Sequence, residues 1–461
     1  MSDCPYSAQN SCAPTSPVSF ARLANESWIW GNARFIASKG LEFFQLCERR
    51  AGIVHTRCFL QPVYIVTDPE AIADVLVKHA NCFDKPYVLR RLKVLFGEGL
   101  LTSNGEHWAY HRRMVQPAFR SEILPAFADF VGRNTVTMAE HWTEDAACDI
   151  YPDLADLAMK NVNQTMFGTC DDELAGIVRA LARTCHELVG AIFSYGWLLP
   201  FLRPGPLKRQ LNAQLDQLDA YLGRLIDQRR GGPPRSDFFG LLLGDKPGLP
   251  NRASILDESV TMLLAGHETS ASALVWCLYL LATHPEHANA LAAELSATLG
   301  GRAPSFHDLD RLPTLRGTLD ETLRLYPPTH RIGRTVKKRV AIGGHEIPAG
   351  ADVVMPQWAV HRSARWYEDP ESFHPERWTP QFRQKLPRFA YFPFSGGPRT
   401  CVGSQMAWTE TAVVLGFLAQ RYTFTLCNAE PPVPREGLTL LPAGGLHVLM
   451  RRRALATAAV A

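Results

Sequence analysis

The chain has almost no net charge, no long uncharged apolar run and no paired-cysteine spacing, and each absence removes a class of protein. With 48 Lys and Arg against 45 Asp and Glu, the formal charge is only +3 over 461 residues. That is too little for the general basic field that holds nucleic acid. No stretch of about twenty residues, the length that crosses a bilayer, is both apolar and free of charge. A soluble protein with no transmembrane anchor is expected. Met1 to Phe20 is polar and rich in Ser, Pro and Ala, without the basic start and apolar centre of an export signal. The eleven cysteines are scattered, odd in number and never spaced C-x-x-C, which reads as reduced thiols in the cytoplasm. The chain also lacks a G-x-x-x-x-G-K-[ST] phosphate loop, a G-x-S-x-G elbow and a complete G-x-G-x-x-G after a strand, so nucleotide and serine-hydrolase chemistries lose support.

What is present is the balance of a folded protein, with 46% hydrophobic and 20% charged residues. Strand patterns cluster at Pro62 to Thr67 and after Val340, with a smaller pair at Leu438 to Leu441 and Leu446 to Met450. Between the first two clusters the pattern is helical, broken at Arg203 to Pro206, Gly231 to Pro234 and Gly300-Gly301. No repeat or low-complexity linker divides it. The expectation is a flexible polar tail over 1–20 and a single domain over 21–461, mainly α with a small β region.

Leu256 to Thr283 stays apolar almost all round and stops before Pro285, as a helix through the centre of a large domain does. Its polar interruption, His267-Glu268-Thr269-Ser270, needs a reason. A zinc site is excluded there, because position 271 is Ala where the second His of that motif belongs. His107 and His111, four apart on a helix, read as polar surface rather than as metal ligands.

The segment Phe392 to Gly403 is a loop rich in Gly and Pro that presents Cys401 at the start of the helix GSQMAWTETAVVLGFLAQRY. Unpaired N–H groups at a helix start, with Arg399 nearby, favour a thiolate. The glycines leave room for a flat cofactor against the backbone. For an isolated cysteine, a structural thiol beside a tight turn is the ordinary reading. The pattern F-x-x-G-x-R-x-C-x-G, met by Phe394, Gly397, Arg399, Cys401 and Gly403, changes that: it resembles the haem-thiolate loop of the cytochrome P450 superfamily.

Further matches follow in that family's order, from about Pro62 to Met450. Glu321-Thr322-Leu323-Arg324 and Pro375-Glu376-Arg377-Trp378 resemble the segments whose Glu321, Arg324 and Arg377 form a buried charge network that locks the Cys loop. Ala265-Gly266-His267-Glu268-Thr269 resembles the oxygen-activation motif. There Gly266 and Thr269 together let the helix open a groove, Thr269 holds bound oxygen and Glu268 relays protons. Trp108 and Arg112 resemble the W-x-x-x-R pair that meets a haem propionate, with Arg334 and Arg399 as further partners and Arg331 as a competitor for the place of Arg334.

The resemblance implies a triangular, α-rich body with a long central helix that holds haem b (iron protoporphyrin IX), with Ala265 against the cofactor. It places the substrate against Val88, Leu89, Leu95, Phe96, Phe193, Trp197, Leu198, Phe201, Leu264 and Ile332. These apolar residues call for a lipophilic molecule such as a fatty acid, terpenoid, steroid or polyketide-like compound. The apolar segment Ile192 to Phe201 also suits a membrane surface or another subunit. The implied activity is insertion of one atom of O2 into the substrate. Electrons would come from NAD(P)H through an external ferredoxin or flavodoxin steered by Arg112, Arg113, Arg120, Lys385 and Arg388, because a haem domain accounts for the whole chain; a monomer is expected. Haem-thiolate isomerases and peroxygenases, and a non-catalytic haem sensor, are the alternatives.

Overall fold

A computed structural model describes residues 30–168, 171–195, 205–229, 237–243 and 252–453, with Ala21 and Ser27 at isolated bridges. Ten helices of eleven residues or more make up nearly half of what is described. They are α1 Ala33–Arg50, α2 Gly105–Val115, α3 Leu124–Glu140, α4 Tyr151–Phe167, α5 Asp172–Tyr195, α6 Pro206–Arg229, α7 Arg252–Thr283, α8 Pro285–Leu299, α9 Pro313–Leu325 and α10 Ser404–Arg421. The main sheet has five strands, β1 Ile53–Cys58, β2 Gln61–Val66, β3 Phe83–Asp84, β4 Ile332–Val336 and β5 Asp352–Met355, in the order β1-β2-β5-β4-β3. The architecture is therefore mainly α with small sheets, as the motifs imply. No helix among the described residues is long and apolar enough to cross a membrane.

Local chemistry sets many of the boundaries. Pro285 and Pro313 each stand at the first helical position, where the missing N–H breaks no bond. Asp68 caps the short helix after β2 by accepting the N–H groups of Glu70 and Ala71, both at 3.0 Å. Helix α4 ends on Gly168 and α8 on Gly300, both left-handed. Strand β1, IVHTRC, has too many polar side chains to be read from the sequence. Pairing with β2, in register from Ile53 with Val66 to Cys58 with Gln61, supplies its structure.

Helix α7 crosses the middle of the molecule and contributes Leu274, Val275, Trp276 and Leu278 to the largest apolar core, where they meet α3, α4 and α10. It is unbroken through Gly266. The groove expected there is not formed by a break in the helix. Gly266 instead lets α4 approach, since a Cβ at this position would lie 2.8 Å from Cγ2 of Val162.

Candidate active site

Two faces of α7 have opposite environments. Leu263 and Leu264 are buried in apolar packing, yet Ala265 is exposed although it lies in the middle of the same helix. The surface that Ala265 presents faces an internal cavity of about 1110 Å³, which is also lined by Thr269, Leu264, Val88, Leu89, Phe96, Ile332, Arg334 and Thr439. This is just above the range of small-molecule sites, roughly 300–1,000 Å³. Leu95 does not line it. It is 2% exposed and packs into the neighbouring apolar core, to which Phe96 also belongs while bordering the cavity. The side chains of Phe193, Trp197, Leu198 and Phe201 lie outside the described residues.

Cys401 presents accessible surface although it lies deep within the protein. Its N–H donates to the Phe394 carbonyl at 3.0 Å, and two residues later Gly403 begins α10 as its N-cap. Gly397 is required for a reason unconnected with a flat cofactor. Its φ is +68°, and a Cβ would sit 1.8 Å from the Leu76 carbonyl oxygen. Burial raises the Cys401 thiol above its usual range, and the Gly403 N–H and the Arg112 guanidinium oppose this without reversing it. The cation acting on Cys401 is thus Arg112, not Arg399, and a bound metal must supply the rest of the stabilisation of a thiolate. Arg112 also donates to the Thr400 carbonyl at 2.8 Å.

Arg399 turns the other way. Its guanidinium lies over the Trp108 ring, 4.7 Å from the centroid, and reaches the Asn104 side-chain oxygen at 3.2 Å. Its buried Nη1 has no hydrogen-bond partner. Arg334, 8% exposed, donates to the Gly333 carbonyl at 2.8 Å. Burial and the charge of Arg399 bring it down to about 10. Arg331, the competitor for that place, is held by Glu436 at 2.6 Å. Lys85, which no motif marks, is buried beside the same group and is lowered to about 6 by burial and by the charges of Arg399 and Arg334. Glu258 is the one acid that acts on Lys85 in the opposite direction. Buried cations in excess of anions are costly. The two carboxylates of haem b are the charge that this edge of the cavity is short of, so the residues present fit the cofactor.

His111 is not polar surface. It is buried, with Nδ1 2.5 Å from Glu258 Oε1 on α7 and Nε2 3.0 Å from Nε2 of His107. Among the described residues no group of three or more His, Cys, Asp or Glu is placed to hold a metal ion.

Behind the Cys loop, Glu321 and Arg324 are both fully buried on α9. Arg324 donates to both carboxylate oxygens at 2.8 Å. Arg377 Nε and Trp378 Nε1 reach the same carboxylate at 3.0 and 2.8 Å. Burial pushes the Glu321 carboxyl up, and Arg324 and Arg377 more than offset it. The three charges meet, and the residues around them support the loop. Neutral His361 accepts the Phe392 N–H at 3.0 Å, and Gln357 donates to the Phe392 carbonyl at 2.8 Å.

The acid and alcohol on α7 do not touch each other. Thr269 donates to the Ala265 carbonyl one turn back at 2.8 Å. Glu268 is buried away from the cavity, with Oε1 2.6 Å from both His186 Nε2 and Thr439 Oγ1. Burial raises Glu268, but the His186 bond and charge and then Thr439 leave it below its ordinary value. Neither His186 nor Thr439 stands in a recognisable motif, and only the packing of α5 and of the 437–439 turn against α7 identifies them.

The cytochrome P450 family profile matches residues 22–450. The cyclooctat-9-en-7-ol 5-monooxygenase of Streptomyces melanosporofaciens is 32% identical over 425 residues, covering 90% of this chain and 92% of that protein. Cyclooctatin synthase of the same organism is 31% identical over 439 residues, 92% of this chain and 94% of that one. The 11-oxo-beta-amyrin 30-oxidase of Glycyrrhiza uralensis is 31% identical over 414 residues, 85% and 79% respectively. With this cysteine loop, this cationic edge and these relatives, the chain belongs to the cytochrome P450 family and is a haem-thiolate monooxygenase.

Proposed function

We propose that the chain inserts one oxygen atom of O2 into a terpenoid, at a C–H bond or an alkene, in the cavity beneath Ala265 and Thr269. The observation that carries this reading is the arrangement of the cavity: an apolar wall of Val88, Leu89, Phe96, Leu264 and Ile332 together with the Arg334 guanidinium, which has Arg399 and Lys85 beside it. The names of the similar Streptomyces and Glycyrrhiza enzymes support the terpenoid class.

The haem, when bound, supplies the electron transfer and oxygen activation that no side chain can. Cys401 would hold its iron through the thiolate. Arg334, Arg399, Lys85, Trp108 and Arg112 would hold its carboxylates, and Ala265 would lie against it. Glu321, Arg324 and Arg377 keep the preceding segment in place for its retention. The apolar wall excludes water and orients the substrate. Turnover consumes two electrons and two protons per O2 and releases one water, so protons must enter an otherwise dry chamber. Thr269 holds a hydroxyl at the cavity surface for this and Glu268 supplies the proton reservoir.

Electrons come from NAD(P)H through a ferredoxin or flavodoxin. Arg113, Arg120, Lys385 and Arg388 are all exposed and support docking of an acidic carrier. The test is turnover under labelled O2 with terpenoids chosen by their low-to-high spin shift. One labelled atom in the product is expected. Product carrying no label, or formed without an electron donor, overturns the reading.

A further inference from the structure

We infer that His186 is the proton inlet of the active site, and that its proton passes through Glu268 to the Thr439 hydroxyl rather than directly from Glu268 to Thr269. The inference rests on the oxygen-activating role proposed above and adds the route by which protons arrive.

The Glu268 side chain is only 5% exposed, so it does not exchange protons with bulk water unaided. His186 on α5, 38% exposed in its side chain, bridges the two environments. Its Nε2 lies 2.6 Å from Glu268 Oε1 and its Nδ1 3.0 Å from the carbonyl oxygen of Ala182. A carbonyl and a carboxylate are both acceptors, so the two contacts are satisfied together only when both ring nitrogens carry hydrogen. The geometry selects the imidazolium. The other charged and titratable neighbours leave it that role. Arg435 opposes its charge weakly, while burial disfavours ionisation of His267, Tyr151 and Cys185 around Glu268.

On the inner side, Thr439 donates to the same Oε1 at 2.6 Å and lines the cavity together with Thr269. Thr269 spends its own hydrogen on the Ala265 carbonyl. Consecutive residues of an α-helix also point about 100° apart, so Glu268 and Thr269 face different sides. The transfer balances as follows. His186 gives Nε2–H to Glu268 and regains a proton from solvent at the same nitrogen. Glu268 hands one to Thr439 as Thr439 releases its own into the cavity. One proton moves inward and no group is consumed. His186 and Glu268 act through Thr439 and are positioning residues.

The test uses the haem-loaded full chain with H186Q, T439V and T439S. Gln keeps a donor toward Glu268 but cannot be protonated, Val removes the hydroxyl and Ser restores it. With O2 and a reductase, H186Q and T439V are expected to lose about tenfold in product per electron, the low end of general-acid effects, and to release hydrogen peroxide instead. T439S is expected to recover coupling. H186Q should also lose the alkaline fall of the wild-type pH profile. Turnover driven by added hydrogen peroxide, which brings its own two protons, should be unchanged in H186Q. A separate readout needs no turnover: nitrogen NMR of histidine-labelled protein should find both ring nitrogens of His186 protonated at neutral pH, and E268Q should abolish that. Wild-type coupling and pH profile in H186Q, an equal loss in its O2-driven and peroxide-driven turnover, or a neutral His186 each overturn the proposal. Loss of the thiolate-type carbon monoxide spectrum in the wild-type protein would instead strike at the proposed function.

Discussion

The guanidinium of Arg399 rests 4.7 Å from the centre of the Trp108 ring, a stacking that fixes one face of the cation while its Nη1 remains buried without a partner. Stacking holds a guanidinium in place without neutralising it. Together with Arg334 and Lys85, it makes an edge whose charge is completed by an incoming dianion.

That edge predicts opposite pH behaviour with and without haem. Lys85 falls from 10.5 to about 6 on folding. Between those values the unfolded chain binds a proton that the folded haem-free protein does not, so stability rises with pH across this window. Propionates beside Lys85 restore its charge and remove the slope. Thermal melts of haem-free and haem-loaded protein from pH 6 to 10 should show the difference. K85M should flatten the haem-free curve and weaken haem binding about tenfold, since a hydrogen bond to a charged group is worth about 1.5–3 kcal/mol. Parallel pH curves for the two forms would contradict this.

Removing one member of the Glu321 group should destabilise more than its contacts alone account for. R324A leaves a fully buried carboxylate without its bidentate partner, at a cost of about 3–5 kcal/mol. E321Q keeps the shape but leaves two arginines facing a neutral amide. Both should lower the melting temperature and release haem faster, which absorbance during transfer to apomyoglobin measures. Retention at the wild-type rate would separate this network from the Cys loop.

At the crossing of α4 and α7, G266A should cost about 1–3 kcal/mol through overpacking against Val162. V162A should recover much of it in the double variant. Denaturation midpoints of the four proteins give the coupling energy, and additivity would show that the two positions do not meet.

T269A should bind haem as the wild type does, because Thr269 bonds only within its own helix. Electrons should instead be diverted to peroxide, measured as peroxide formed per NAD(P)H consumed. Unchanged coupling would remove Thr269 from proton handling.

Cys401, the central helix and the Glu321–Arg324 spacing were all legible in the amino-acid order, because each is a local pattern: a loop before a helix, an apolar run, two residues one turn apart. Strand β1 was not, since its alternation is weak and its pairing with β2 supplies what its composition lacks. Leu95 and Phe96 are equally apolar in the sequence and join the same apolar core, and only the fold decides that Phe96 also borders the cavity. Closeness along the chain points to Arg399 as the cation beside Cys401. Space assigns it to Arg112, because Arg399 is drawn onto Trp108.

By itself, then, the order of residues determined the haem-thiolate chemistry, which needs only a cysteine of the right surroundings and a helix carrying an alcohol and an acid. The tertiary structure decided which groups gather around it: Lys85 beside Arg334 and Arg399, and His186 and Thr439 both bonded to Glu268. Those partners lie 82 and 171 residues from Glu268 along the chain. Contacts across such separations are set by how whole helices pack, and no local pattern records them.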